Sequence, residues 1–401
     1  MGEAKVSSRK VSLIDDEKQM DLFEVTDVQN LKKEPRDKNI PAEGTKQTNA
    51  SASAFGWQFQ IIVGIILSLE NIKNLNEVKI EGNTEDVELY LNDRKPVYVQ
   101  VKSIQKKIYD VKDSTKITAA MNTLINTSNI TNGGYSELIY IANFRNPLNL
   151  DDALMQASWI PEMNKTFIRT YESLPEKAKQ FVQERIEMAQ RQLEEKYTSS
   201  IENFDLRRLR IGTILFGSDS QDAQQYSVLE GTIKYFFELV KLEKVITKVD
   251  RVKNMLITHY LSNAGTQDTT EKKRRITKES LIWRIIFEII DDVPESFFEN
   301  APAGTRGELE TYENDFIKQQ VERIEIINGI QKGLMRYAGG KLITSKICEK
   351  FVKEEWDKYL DIFPIDHEDK IIQEYGIKLI MTRIINGKRL IEKIEEGVNM
   401  K

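Results

Sequence analysis

The stretch Val78–Ser103, VKIEGNTEDVELYLNDRKPVYVQVKS, decides how the rest of the chain is read. It reads as three short strands, the last two joined by Asn92-Asp93-Arg94-Lys95-Pro96, a cluster of turn formers. Strand side chains alternate faces with a period of two. Val87, Leu89 and Leu91 therefore share one face of the middle strand, with Asp86, Glu88 and Tyr90 opposite. In the third strand Val97, Val99 and Val101 share a face, and Tyr98, Gln100 and Lys102 take the other. Each strand offers an apolar face to a core and a polar face to a site. Pairing of the two brings Asp86 towards Gln100 and Lys102.

That constellation suits phosphodiester hydrolysis. Asp86 and an oxygen near position 100 can hold a hard divalent cation, because Mg²⁺ takes oxygen ligands and keeps several waters. The cation polarises a phosphate and lowers the pKa of an attacking water. Lys102 can orient that water or stabilise charge building on the phosphate. A Gln ligand lowers the charge of the site, so weaker metal binding is expected than with two carboxylates. The alternative at this point is a half-solvated hairpin carrying its charges on the wet side.

Composition narrows the chemistry. The 401 residues suffice for two or three domains, and a net charge of −5 gives no global signal for nucleic acid. A local basic run lies between Asp93 and Lys116, where Arg94, Lys95, Lys102, Lys106, Lys107, Lys112 and Lys116 outnumber Asp93, Asp110 and Asp113. Lys106, Lys107 and Lys112 are its candidate DNA contacts, a solvated loop and helix face being the alternative. The one cysteine, Cys348, excludes an intramolecular disulfide and a Cys-cluster metal site. Two histidines, His259 and His367, in different helical regions, argue against a His-based zinc site or a Ser-His-Asp triad. Carboxylate, amide and amine remain for chemistry. No signal peptide is evident, and the longest apolar run, Ile61–Leu67, falls short of the roughly 18 residues of a membrane span. A cytoplasmic protein with no membrane partner is expected.

Along the chain, residues 1–50 are polar and read as a partly disordered arm, with short apolar patches at Val11–Ile14 and Leu22–Val25. Phe55 to about Ile72 reads as a helix apolar nearly all round, hence buried. Its polar exceptions are Gln60 and Glu70. A buried Gln60 needs partners, which a site beside the strands or a neighbouring helix could supply; Glu70 could equally be exposed at the helix end. A helix over Thr115–Ser128 and a buried strand at Leu138–Ala142 follow, the helix permitting the crossover that parallel strands require. From about 155 the chain is mostly helical, interrupted by a strand-like Ile211–Phe216. Glu271-Lys272-Lys273-Arg274-Arg275 is a basic cluster of the kind that exposed loops carry. Gly339-Gly340-Lys341 is followed by Leu342 where a phosphate loop needs Ser or Thr, so no ATPase motor is recognised.

The order helix, strand, strand, strand, helix, strand, with an acidic second strand and Gln-x-Lys on the third, resembles the PD-(D/E)XK nuclease superfamily. The closer similarity is to the double-stranded-DNA endonuclease domain of bacterial antiphage effectors, including the Cap-type nucleases of cyclic-oligonucleotide defence systems. Phe55-Gly56-Trp57-Gln58-Phe59-Gln60, Glu81, Glu85-Asp86-Val87, Gln100-Val101-Lys102-Ser103 and a late strand ending in Asn143 and Pro147 carry it. The resemblance covers about residues 51–150 and implies an αβββαβ restriction-endonuclease-like core at 51–155, followed by a helical assembly or regulatory domain at 156–401. It implies Asp86, Gln100 and Lys102 as the catalytic core with Mg²⁺, or Mn²⁺, bound by Asp86 and Gln100. Gln60, Glu70 and Glu85 are supporting residues. Gln100 departs from the commoner acidic residue of the superfamily. The expected activity is low-specificity cutting of double-stranded DNA in antiphage defence, by a homo-oligomer working with a hexameric HerA-like ATPase. The alternatives are a non-catalytic DNA-binding scaffold, or a nuclease triggered by a cyclic nucleotide sensed by the helical domain.

Overall fold

The structure is a computed structural model that describes residues 45–82, 84–105, 115–148, 153–194, 201–217, 225–265, 275–290, 293, 295–299, 301–302, 304–309, 324–361 and 369–400. The apolar patches expected at 11–14 and 22–25, most of the basic 271–275 cluster and His367 lie outside the described residues. Residues 48–401 form one compact unit.

Helix α1 spans Thr45–Glu70, ten residues earlier than the sequence suggested. The run Thr48–Ala54 mixes alanines with small polar residues, which carry no helical apolar period yet do not break a helix. As a whole, Ser51–Glu70 is long and apolar enough to cross a membrane, which the count of the uninterrupted run Ile61–Leu67 did not register. Here it is a core element: Phe59, Ile61, Val63, Ile65 and Ile66 are fully buried. It lies so close to the sheet that a Cβ on Gly64 would fall 2.2 Å from Ile80 Cδ1.

Three strands follow as read, β1 (Leu75–Ile80), β2 (Val87–Leu91) and β3 (Val97–Lys102). They form an antiparallel meander. Helix α2 (Thr115–Ile130) then returns the chain to β4 (Glu137–Ala142), which runs parallel to β3. That connection is long enough for the crossover parallel neighbours need. The sheet continues beyond residue 155. After α3 (Ala153–Ser158) come β5 (Phe167–Thr170), α4 (Glu176–Glu194) and β6 (Leu209–Thr213). Then α5 (Ser227–Leu239) and α6 (Val249–Ala264) precede β7 (Ile276–Thr277) and α7 (Lys278–Ile289). The seven-stranded order is β5-β6-β4-β3-β2-β1-β7, a mixed sheet.

Each face of the sheet has its own core. Val78, Val87, Val99 and Ile141 face α1 and the helices from α5 onward. Tyr98, Leu138, Tyr140 and Ile211 pack with Ile117, Met121 and Leu124 of α2 and Ala178, Val182 and Ile186 of α4. The C-terminal half is helical, with α8 (Ile324–Ala338), α9 (Ser345–Glu355), α10 (Lys370–Asn386) and α11 (Lys388–Gly397). Their apolar residues, Ile330, Phe351, Ile384 and Ile394 among them, join the first core.

Candidate active site

The site is built where the β2–β3 ladder stops. Its last pair is Val87 with Val99. Before Val87 the chain is already turning: Gly82 N–H donates to the Glu85 carbonyl at 3.0 Å and Glu81 N–H to the Asp86 carbonyl at 2.9 Å. Glu81 takes the left-handed region, φ 51°, uncommon for a residue with a side chain. Thr84 N–H ties the turn down onto Glu88 Oε1 at 2.9 Å. Gly82 must be small here, since a Cβ would lie 2.3 Å from Glu88 Cδ. The next donor that β3 aims at β2, Val101 N–H, therefore meets a side chain: Asp86 Oδ2 accepts it at 2.7 Å. The same oxygen accepts from Gln100 Nε2. Asp86 is thus fixed by the backbone and side chain of the strand that carries Lys102.

One difference from the sequence reading is that Asp86 lies outside β2. The half-solvated hairpin weighed as the alternative is also not what forms, because the polar face is largely buried. Glu88 and Gln100 are 2% and 3% exposed. The cause is α2, which packs on that face together with Tyr98 and Tyr140. Glu88 is satisfied internally, by Thr84 N–H and by Tyr90 O–H at 2.8 Å.

The neighbouring carboxyl, Glu85, is also buried, and Thr127 Oγ1 of α2 donates to its Oε1 at 2.5 Å. Its Oε2 is buried with no hydrogen-bond partner. Burial pushes the Glu85 pKa up to about 8 against the Thr127 hydrogen bond, with Asp86 and Glu88 adding to the rise and Lys102 opposing it. Burial also pushes Asp86 up to about 6, but there the Val101 N–H, the Lys102 charge and Gln60 all favour the anion, while Glu81 opposes it. At neutral pH Asp86 is mostly ionised and Glu85 mostly protonated, two carboxyl groups set apart by their surroundings.

Gln60 reaches this group from α1, hydrogen-bonding Asp86 and leaving its own Oε1 buried without a partner. Its placement follows from Phe55 and Phe59, which stack on Phe216 just after β6 at 5.3 and 5.5 Å. Beyond β3 the chain is clamped by Asn143, at the end of β4. Its Oδ1 accepts from Ile104 N–H at 2.9 Å, and its Nδ2 donates to Ile104 O at 3.0 Å and Phe216 O at 2.9 Å. Lys102 therefore projects from a strand end held on both sides.

Asp86, Gln100, Lys102, Gln60 and Glu85 are brought together. Glu70 is not: it sits ten residues on, about 15 Å along the helix, exposed, and accepts from Thr166 Oγ1 at 2.6 Å. Lys106, Lys107 and Lys112 lie outside the described residues. Thr127 had no sequence signal, because its partner stands 42 positions away.

Among the described residues no three His, Cys, Asp or Glu side chains gather in metal-binding geometry. A cation here would use amide as well as carboxylate oxygens. The donor chemistry fits a hard cation: the Asp86 carboxylate, the Gln100 amide, and two buried oxygens, on Glu85 and Gln60, that lack hydrogen-bond partners. Gln100 presents its Nε2 to Asp86. Rotating that amide would turn its oxygen to the same point, and the choice of N or O follows the local hydrogen bonding. Comparison with protein-family models, curated proteins and solved structures gives no match.

Proposed function

We propose that the chain is a Mg²⁺-dependent endonuclease acting on double-stranded DNA. The observation that carries this reading is the meeting of Asp86, Gln100 and Lys102 at one strand end: Asp86 accepts from Gln100 and Val101, and the Lys102 charge acts on it. Asp86 and the Gln100 amide oxygen would hold the cation. Bound there, Mg²⁺ would polarise the phosphate and acidify a water. Lys102 supplies a fixed positive charge for the phosphate oxygens as charge builds on them, and can orient the water through hydrogen bonding. Gln60 holds Asp86 from the α1 side, and Asn143 holds the segment that follows Lys102. The chain shows no base-reading motif, and contacts to phosphate carry no sequence information, so cutting should be of low specificity.

The setting rests on the resemblance of residues 51–150 to antiphage effector nucleases. It comprises bacterial defence, a cytoplasmic homo-oligomer, and activation by a hexameric DNA-translocating ATPase. A second reading, a catalytically silent DNA-binding scaffold, draws on one feature: Asp86 is satisfied within the protein, as a structural carboxylate would be. Plasmid incubated with the full chain and Mg²⁺ or Mn²⁺, alone and with a candidate ATPase, separates the two. The nuclease reading expects cutting that is abolished by chelator and lost in Asp86→Ala. The scaffold reading expects DNA binding or assembly with no cutting under any condition.

A further inference from the structure

A divalent cation held by Asp86 and an amide would keep an uncompensated positive charge, since only one of those groups is anionic. A second carboxyl group is buried beside them. Glu85 is 4% exposed, its Oε1 is fixed from α2 by Thr127, and its Oε2 is buried with no partner. The Lys102 ammonium lies within electrostatic reach of both Glu85 and Asp86, so the two groups share one cationic neighbour. On the α1 side Gln60, in hydrogen-bonding reach of Asp86, also has a buried oxygen without a donor. Buried polar atoms without a hydrogen-bond partner are rare in folded proteins, and each needs a cause. Two of them beside one carboxylate at a strand end form an oxygen set with unused coordinating capacity, served by a single ammonium.

We propose that Glu85 Oε2 and Gln60 Oε1 are ligands of the divalent cation, with Glu85 the second carboxylate that balances its charge. Thr127 is then the outer partner that orients the Glu85 ligand, as hydrogen-bonded second neighbours do in metal sites. Gln100 brings no charge of its own, and Glu85, adjacent to Asp86 in sequence, supplies it. This inference rests on the cation-site reading above and adds two ligands to it.

The test is Mn²⁺ binding by the full chain after chelator treatment, followed by the loss of the free-ion electron paramagnetic resonance signal. It needs neither DNA nor turnover. Glu85→Gln keeps shape and burial while removing the charge. It should weaken Mn²⁺ binding by about tenfold or more, the range seen when groups supporting a metal are removed. Thr127→Val, which leaves Glu85 in place, should weaken binding in the same direction but less, and so should Gln60→Ala. Circular dichroism reports whether each variant is folded. Wild-type affinity in Glu85→Gln, with binding lost in Asp86→Asn, overturns this proposal and leaves the Asp86 site standing. No Mn²⁺ binding by the wild type overturns the cation-site reading itself, and this proposal with it.

Discussion

Glu85 and Asp86 are adjacent in sequence, yet one points to a hydroxyl on α2 and the other to N–H groups on β3. Burial raises both, but Asp86 has several groups favouring its anion, whereas the anionic neighbours of Glu85 oppose its ionisation. A carboxyl group whose folded pKa is raised binds its proton more tightly in the native state. Its contribution is therefore full below the unfolded pKa and is lost as pH rises through the folded one. Without metal, stability should fall as pH climbs from about 4 to about 8, the window spanned by the two groups. Thr127, Asp86, Lys102 and Glu88 are the groups that set the Glu85 part of it. Urea denaturation in chelator at several pH values measures the slope, and Glu85→Gln should flatten it by roughly 1–3 kcal/mol at the alkaline end. An unchanged slope would place the titrating group elsewhere. The Asp86, Gln100 and Lys102 set was legible because strand alternation and a turn-rich linker are local signals. The Thr127 contact was not, because only the folded crossover brings α2 over Glu85.

Among the elements, α1 was readable from its apolar run, but its first ten residues were hidden, because the run Thr48–Ala54 carries no helical period. The polar face of β2 and β3 was read as a site, with a half-solvated surface as the alternative. Alternation tells which residues share a face, and cannot tell whether a later helix covers it; α2 does. The joint that matters most for the site is Asn143, fully buried, which holds the segment after β3 to the end of β6 by three hydrogen bonds. Asn143→Leu leaves the Ile104 and Phe216 groups without their partner. It should cost roughly 2–4 kcal/mol in urea denaturation, since each stranded buried group costs about 1–3 kcal/mol. The same variant should cut DNA poorly under conditions where it remains folded, because Lys102 loses its fixed frame. Full activity in a folded Asn143→Leu would show that the clamp serves stability alone.

Across the whole molecule, the sheet draws on both halves of the chain. β6 pairs with β4 through Leu209–Thr213, and β7 borders β1 through Ile276–Thr277, with Arg275 paired to Glu77 at 3.1 Å. β5 and β7 are four and two residues long, too short for periodicity to register, and their partners are remote in sequence. A fragment of residues 51–155 would leave β4 without its neighbour β6 and strip α1 of Phe216 and Tyr260. It should fail to show a cooperative thermal transition; a cooperative melt with native-like circular dichroism would show that the nuclease-like part folds alone. The central claim is that Lys102 acts on a phosphate beside a cation held by Asp86 and its amide neighbours. The most direct measurement compares the wild-type chain with Lys102→Ala for plasmid cutting and Mn²⁺ binding in the same preparation. The account predicts that Lys102→Ala still binds Mn²⁺ and no longer cuts; a Lys102→Ala protein that cuts at the wild-type rate would contradict it.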